Sequence, residues 1–320
     1  MDKRTLVLKF GGSSVATVQK IVAIAERIIT VAANNRCVVV VSAMGDDTDI
    51  LLDSASTLHP ERYPREYDML LATGEQKTIA LLSMALQEKG ALARSLTGWQ
   101  ARIKTTAQHR KARIIDIDTK TIKDCWKRDE IPIIAGFQGI HAENITTLGR
   151  GGSDLTAVAL AAAIYADECQ IFTDVDGIYS ADPRIVAEAV KISEMNYIAM
   201  LELASLGAQV LHNRAVELAC KMNIPLRVLS SFIEGDGTLV THNIKNTPTI
   251  SGITVEKQQN VINVLYKQDS IHHHNCWKLL EEHNISLSTV HWSRYQDHFY
   301  YLSPHQKTKQ NRLYRLLKRL

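Results

Sequence analysis

Residues Leu6 to Ala16 read LVLKFGGSSVA, and this stretch decides the fold. Five mainly apolar residues end in Gly11 and Gly12, and a valine-led helical pattern follows from Val15 to Asn34. An apolar strand that passes through a glycine turn into a helix is typical of a parallel α/β sheet. Lys9 stands on the strand before the glycines, which places it at the edge of the sheet where such folds bind ligands.

The same alternation continues over the first 230 residues. Short, β-branched and nearly all-apolar runs predict strands that are buried on both faces. These runs are LVLKF at 6–10, CVVVVSAM at 37–44, IPIIAGF at 131–137, CQIFTDV at 169–175 and PLRVLS at 225–230. Helical patterns lie between them at Val15–Asn34, Tyr67–Lys89, Asp154–Tyr165 and Gly207–Met222. This order predicts an α/β fold with a mainly parallel sheet and helices on both faces.

Composition limits the class of protein. The length of 320 residues predicts one large and one small domain, and 45% apolar with 22% charged residues is typical of a globular chain. A net charge of +3 gives no reason to expect nucleic acid or a membrane as partner. The chain has no apolar run of about 20 residues, and its first residues have a strand pattern, so we expect neither a membrane span nor a signal segment. Its five scattered cysteines lack CxxC spacing, so we expect reduced thiols in a cytoplasmic protein.

The pattern changes after Phe232. A turn-rich connector, IEGDGTLVTHN, comes first and can still supply an edge strand; an alternating segment, a short helix, two strands and a final helix follow. Eight of the twelve histidines lie after residue 240. We therefore expect a large domain over residues 1–240 and a small α+β domain over residues 241–320.

The first glycine turn suits a phosphate, because backbone N–H groups and the helix dipole both favour an anion there. It is neither a Walker A loop nor a GxGxxG loop. Lys9 can reach a phosphate held by the glycine amides and stabilise a transferring phosphoryl group. A solvated lysine beside an ordinary turn fits the spacing equally well.

A second glycine turn, TTLGRGGSD, covers Thr146 to Asp154. Either Ser153 or Asp154 can cap the alanine-rich helix that follows. Capping does not account for Arg150 between glycines, and a bidentate carboxylate or phosphate contact explains it better.

Acidic residues follow two further elements. In FTDVDGIYSADPR, Asp174 and Asp176 suit Mg²⁺ or the orientation of a neighbouring lysine, although Asp-Gly and Asp-Pro are also ordinary turn dipeptides. Tyr179 and Arg184 can contact a base and phosphates. Glu75, just after a glycine near the expected start of a helix, either interacts with the helix dipole or binds an ammonium group.

Seven segments in order resemble the aspartate kinases of the amino acid kinase family. They are KFGGSSV, VVVSAMGDDTD, TGEQ, GFQG, TTLGRGGSD, TDVDGIYSADPR and GAQVLHNRAVELA, within about residues 5 to 235. The resemblance implies a three-layer α/β/α sandwich around a mainly parallel eight-stranded sheet, and a single ACT-like domain at the C-terminus. It also implies transfer of the ATP γ-phosphoryl group to the side-chain carboxylate of L-aspartate with Mg²⁺.

The resemblance assigns roles by motif position. Lys9, Gly11, Gly12 and Ser13 hold the phosphoryl group, and Asp174 orients the lysine and supports the metal–phosphate assembly. The implied nucleotide pocket adds Thr173, Tyr179, Asp182 and Arg184, with Asp154 beside the phosphates. The implied aspartate site comprises Ser42, Thr48, Glu75, Phe137, Arg150 and Ser153.

Several positions depart from the family pattern. Gln209 and Asn213 stand where many members have lysine and proline. Asp46 and Asp47 lie beside Thr48, where their charges can weaken aspartate binding or favour a substrate that carries more positive charge. The loop YKQDSIHHHNCW lacks the usual effector turn, so we expect weak or no feedback inhibition. Its histidines lack zinc spacing and suit a solvated turn.

The final helix is basic with an apolar stripe, which favours covering a small sheet and self-association as a homodimer or higher homo-oligomer. Two alternatives to an aspartate kinase stay open. One is a kinase of the same fold that acts on another amino or carboxylic acid, and the other is an amino-acid or nucleotide sensor without turnover.

Overall fold

The computed structural model describes residues 3–206, 210–242, 244, 252–253, 260–265, 287–292 and 297–302. Two units are separately compact: residues 1–204 with 209–253, and residues 205–208 with 254–320. The domain boundary expected between residues 240 and 241 stays a prediction.

The larger unit alternates strands and helices. Its first half contains β1 (Arg4–Phe10), α1 (Val18–Asn34), β2 (Asn35–Val41), α2 (Asp47–Ala55), α3 (Pro64–Glu88), β3 (Ala93–Leu96), β4 (Ile103–Thr105), β5 (Ile114–Ile117) and α4 (Lys120–Lys127). Its second half contains β6 (Ile131–Ala135), β7 (Gln138–His141), β8 (Asn144–Thr147), α5 (Gly152–Ala163), β9 (Glu168–Thr173), β10 (Ile178–Tyr179), β11 (Lys191–Ile192), β12 (Glu194–Met195), α6 (Tyr197–Ser205), α7 (Asn213–Met222), β13 (Leu226–Ser230) and β14 (Thr238–Val240). Among the described residues, no helix is long and apolar enough to span a membrane.

Eight strands of the larger unit form one sheet in the order β12-β14-β13-β9-β1-β2-β6-β3. Every neighbouring pair is parallel except β13 with β14. The predicted mainly parallel α/β sheet is therefore confirmed. The connector after Phe232 does supply a strand, but β12 lies outside it, so β14 is second from the edge rather than an edge strand.

The side chains of β1 point alternately to the two faces of the sheet, and helices cover both faces. Leu6, Leu8 and Phe10 join the core formed with α1 and α3, whereas Lys9 points to the opposite face and meets α5. Helix α5 contacts β1, β2 and β9 as well as α7, and α1 contacts α3. The sheet therefore lies between an α1–α3 layer and an α5–α7 layer, as the resemblance implied.

The predicted starts of two helices are wrong for a shared reason. Helix α1 begins at Val18 rather than Val15, because the Val15 N–H donates to Gly11 within the turn and the Thr17 hydroxyl caps the helix. Helix α5 begins at Gly152, and its cap residue, Gly151, has a φ of 69°. Ser153 and Asp154 are thus first-turn residues rather than caps. In both places the glycine turn is closed by its own backbone bonds.

A second sheet of four strands, β5-β4-β7-β8, is absent from the sequence prediction. Asp68 of α3 is fully buried and joins this sheet to the helix. Its carboxylate accepts hydrogen bonds from the Thr147 hydroxyl at 2.6 Å, the Thr147 N–H, the Arg110 N–H and the His109 ring. This buried acid fixes α3 against the β8 end.

The smaller unit contains three described strands, β15 (Asn260–Leu265), β16 (Leu287–Trp292) and β17 (Asp297–Leu302). They form an antiparallel sheet in the order β15-β17-β16. The strands predicted at ISLSTVHW and HFYYLSP are confirmed. The two helices predicted in this unit, the histidine-rich loop, Cys276 and Gln209 lie outside the described residues.

Candidate functional site

Four neighbouring parallel strands, β9, β1, β2 and β6, end at the same edge of the sheet. Phe10 pairs in register with Val41 on one side and Phe172 on the other, and Val41 pairs with Ala135. Because the strands are parallel and in step, the loops after residues 10, 41, 135 and 173 leave the sheet together. Most of the residues assigned by sequence lie in or beside these loops.

Lys9 and Asp154 form a buried ion pair at this edge. The Lys9 ammonium lies 2.5 Å from an Asp154 carboxylate oxygen, and both residues are 9% exposed. The carboxylate that orients Lys9 is therefore Asp154, which sequence reasoning placed beside the phosphates. Asp174, assigned that orienting role, is exposed and accepts a hydrogen bond from the Thr173 hydroxyl at 3.0 Å.

The turn after β1 leaves two backbone donors available. In the described part of the chain, the N–H groups of Gly12 and Ser13 donate to no other group, whereas those of Ser14 and Val15 donate to Gly11. A Cβ on Gly12 would lie 3.1 Å from the Ala43 carbonyl, so glycine lets the two loops approach closely. Two free donors next to the Lys9 strand are suited to an anion.

Glu75 lies in the middle of α3, not near a helix start, so the helix-dipole explanation for this residue is wrong. Its carboxylate is 4% exposed. One oxygen accepts a hydrogen bond from the Ala43 N–H at 3.2 Å, and in the described part of the chain the other oxygen has no partner. Burial, with a smaller contribution from the Asp47 charge, raises the pKa of Glu75 to about 8.

Gly74 explains how Glu75 reaches the sheet edge. A Cβ at Gly74 would lie 2.8 Å from the Ala43 side chain. Only glycine lets α3 pack this closely on the loop after β2. The same close approach brings the Glu75 carboxylate to the Ala43 amide, so the two neighbouring residues act together.

The loop after β6, which contains Phe137, packs against the start of α5, which contains Ser153. Phe137 has a φ of 68°, an unfavourable value for a bulky residue. Its N–H donates to the Thr156 hydroxyl of α5 at 3.1 Å, and its carbonyl accepts from the Leu148 N–H at 2.9 Å. A Cβ on Gly136 would lie 2.7 Å from the Ser153 hydroxyl. These bonds hold the left-handed conformation and press the loop after β6 onto α5.

Three other assigned substrate residues surround the same edge. Ser42 follows β2 and its N–H donates to Phe10 at 3.1 Å. Thr48 is half-buried in the first turn of α2. Arg150 is exposed, and its guanidinium makes no hydrogen bond or ion pair within the described residues. Arg150 therefore remains available to an anionic ligand.

The assigned nucleotide residues form two pairs after β9. The Tyr179 hydroxyl donates to Asp176 at 2.9 Å, and this hydrogen bond raises the pKa of the phenol. Arg184 forms a bidentate pair with Asp182 at 3.0 and 2.9 Å. Within the described residues, no group of three or more His, Cys, Asp or Glu side chains is arranged to hold a metal ion.

Sequence reasoning missed two features of the site. His212 packs on Gly151, and its Nδ1 atom is buried without a partner in the described part of the chain. Burial lowers the pKa of this imidazole. His212 lies within the motif segment GAQVLHN, which is the sequence signal for it. The second feature is a hydrogen bond of 2.6 Å between the buried hydroxyls of Ser14 and Ser231, which ties the glycine turn to the end of β13.

The fold and this site define a class: residues 4–230 match the amino acid kinase family, and the chain belongs to it. An aspartokinase of Pseudomonas aeruginosa is 51% identical over 260 residues, covering 79% of this chain and 63% of that protein. The crystal structure of aspartate kinase from Synechocystis has a TM-score of 0.66 at 40% identity and covers 96% of this chain and 54% of that one. E. coli aspartokinase III in complex with aspartate and ADP has a TM-score of 0.75 at 26% identity, with coverage of 93% and 78%. This chain spans less than two thirds of the length of the first curated relatives.

Proposed function

We propose that this chain is an ATP-dependent kinase that phosphorylates the side-chain carboxylate of L-aspartate, giving 4-phospho-L-aspartate and ADP. One observation carries the substrate assignment: the buried Glu75 oxygen that has no partner in the described part of the chain. A buried carboxylate needs a cationic or donating partner, and a substrate ammonium group supplies both. The names of the relatives, and the aspartate and ADP in the E. coli structure, support the same assignment.

The two ends of the amino acid are recognised separately in this proposal. Glu75 pairs with the α-ammonium group, and Arg150 pairs with the α-carboxylate through its planar guanidinium. The side-chain carboxylate is then left to face the phosphoryl group. That carboxylate is ionised at pH 7, so the reaction requires no general base.

The phosphoryl group is held at the turn after β1. The free N–H groups of Gly12 and Ser13 donate to phosphate oxygens, and the Lys9 ammonium stabilises the charge on the group in transfer. Asp154 positions Lys9 through the buried ion pair. Catalysis rests on positioning and charge stabilisation, because the attacking oxygen already carries its charge.

The nucleotide lies over the segment after β9. Thr173, Tyr179, Asp182 and Arg184 line its pocket, and Arg184 exchanges part of its pairing with Asp182 for phosphate contacts. Mg²⁺ neutralises phosphate charge when bound, and it is carried mainly by phosphate oxygens with one or two carboxylates. The exposed carboxylate of Asp174 fits that limited donor set.

Acyl phosphate trapping as a hydroxamate tests the proposal. L-Aspartate and a panel of related acids are supplied with ATP to the wild type, to Lys9→Met and to Lys89→Met. Lys89 is a matched control because it forms an ion pair with Glu26 at the far end of α3. We expect hydroxamate from aspartate, a loss of about 1000-fold in Lys9→Met and no change in Lys89→Met.

Two other results would replace the proposal. Turnover with a different acid alone would identify a kinase of another substrate. ATP binding without turnover of any acid would identify a sensor. Self-association through the smaller unit belongs to the same proposal, and light scattering on the full chain tests it by giving the mass of a monomer or of a homo-oligomer.

A further inference from the structure

Asp47 carries an unusual negative charge next to the proposed substrate residue Thr48. From the sequence, the acidic pair of Asp46 and Asp47 can either weaken aspartate binding or favour a substrate that carries more positive charge. In the structure, the Lys77 ammonium lies 2.8 Å from Asp47. Lys77 stands on α3 two residues after Glu75, so the cation that compensates Asp47 belongs to the helix that supplies the ammonium-binding carboxylate.

Two polar contacts join the loop after β2 to α3, in addition to the packing of Gly74 on Ala43. Near its start the Ala43 N–H donates to Glu75, and at its end Asp47 pairs with Lys77. The β1 side adds backbone bonds from Ser42 and Gly45, which donate to Phe10 and Gly12. When a substrate ammonium group engages Glu75, the Lys77 ion pair is the polar contact between this loop and α3 that does not involve the substrate-binding carboxylate.

Charge balance favours the same role for Lys77. The side chain of Asp47 is only 21% exposed, so water screens its charge incompletely. Its electrostatic effect on neighbouring charged groups is therefore stronger than that of a fully exposed carboxylate. The proposed substrate is itself an anion at neutral pH. Without Lys77, an uncompensated negative charge would stand at the start of α2, beside the site for that anion.

We propose that Lys77 is a positioning residue for the substrate, which holds the loop of residues 43–47 on α3 and neutralises Asp47 beside Thr48. This inference rests on the proposed function for its substrate, but the ion pair and the loop attachment exist without it. The pair is half-exposed on the lysine side, at 51%, so its contribution is that of a moderate surface ion pair.

The test compares K77Q, D47N, the double variant D47N/K77Q and the control K89Q. For K77Q we expect the KM for L-aspartate to rise about threefold to fivefold, with kcat and the KM for ATP within about twofold of the wild type. D47N and D47N/K77Q lack the ion pair but leave no uncompensated negative charge at residue 47, so their KM for L-aspartate is expected to lie between those of the wild type and K77Q. K89Q loses the ion pair between Lys89, just after the end of α3, and Glu26 of α1, and is expected to match the wild type.

Hydrogen exchange gives a second readout that does not depend on turnover. Without substrate, the amides of residues 43–47 are expected to exchange faster in K77Q than in the wild type, and unchanged in K89Q. Either an unchanged aspartate KM or unchanged exchange of residues 43–47 in K77Q would overturn the inference. If the wild type lacks aspartate turnover but K77Q shows the faster exchange, the proposed function fails while the positioning role stands.

Discussion

Replacing Glu75 with glutamine separates the effect of its buried charge from the rest of the protein. Burial raises the carboxyl pKa from 4.5 to about 8. Between these two values the folded state keeps a proton that the unfolded chain has released, so the stability of the ligand-free protein falls as pH rises. At about 1.36 kcal/mol per pKa unit, the contribution lost between pH 4.5 and 8 is about 5 kcal/mol. Above pH 8 no further loss is expected from this group.

The glutamine variant lacks this dependence because its amide does not titrate. Its oxygen can still accept from the Ala43 N–H, so the remaining cost of the substitution is independent of pH. We expect the difference in free energy of unfolding, variant minus wild type, to grow by at most about 4 kcal/mol from pH 5 to pH 8, since these three pH units lie within the shift. Urea unfolding of both proteins at several pH values measures it, and all other groups cancel in the difference.

The same charge governs substrate binding in the proposed function. Glu75 must be ionised to bind an ammonium group, so the KM of the wild type for aspartate is expected to fall as pH rises from 6 to 8, by at most about tenfold per unit. Glu75→Gln is expected to remove this slope and to raise the KM at pH 8 about 100-fold. A difference in unfolding free energy that stays constant with pH, with a flat KM profile in the wild type, would refute the reasoning.

Four further substitutions, one of them a control, test packing in the larger unit. The Asp68 carboxylate accepts hydrogen bonds from Thr147 and the His109 ring, and Asp68→Asn replaces one accepting oxygen with an NH2 group. We expect the free energy of unfolding in urea to fall by about 3 kcal/mol. Gly151→Ala places a Cβ at φ 69° against the His212 ring, while Gly90→Ala meets the same backbone strain at φ 81° with open space around it. Thermal unfolding should therefore show about 1 kcal/mol lost at Gly90 and more at Gly151; equal losses would contradict the His212 contact. Tyr197→Phe removes a buried hydroxyl that donates at 2.6 Å to a backbone carbonyl, and chemical unfolding should register a loss of about 1 kcal/mol rather than none.

The large sheet was predictable because its strands carry their own signal. The strands β1, β2 and β6 are nearly continuous apolar runs, as burial on both faces requires. The strands β4 and β5 of the second sheet are only three and four residues long and include exposed polar side chains, so no comparable pattern marked them. A short strand of this kind forms because of its pairing and packing with neighbouring strands rather than because of its own sequence.

The sequence predicts which residues belong to the site better than it predicts which of them contact each other. Sequence motifs named Lys9, Glu75 and Asp154, and the structure places all three at one sheet edge. The pairing of Lys9 with Asp154 depends on which face of β1 the lysine occupies and on where α5 packs, and both are tertiary facts. The Glu75 oxygen that has no partner among the described residues likewise depends on the close approach of Gly74 to Ala43, which is also a tertiary contact.

The central place of β1 in the sheet has a consequence for synthesis on the ribosome. One neighbour of β1, the strand β2, follows within the first 41 residues, whereas the other, β9, begins at Glu168. Until that later segment emerges, an apolar strand that ends beside the proposed catalytic lysine has an unpaired edge. The growing chain therefore carries an aggregation-prone intermediate over more than a hundred residues of translation, and a trigger-factor-like chaperone that shields this edge should raise the yield of folded protein.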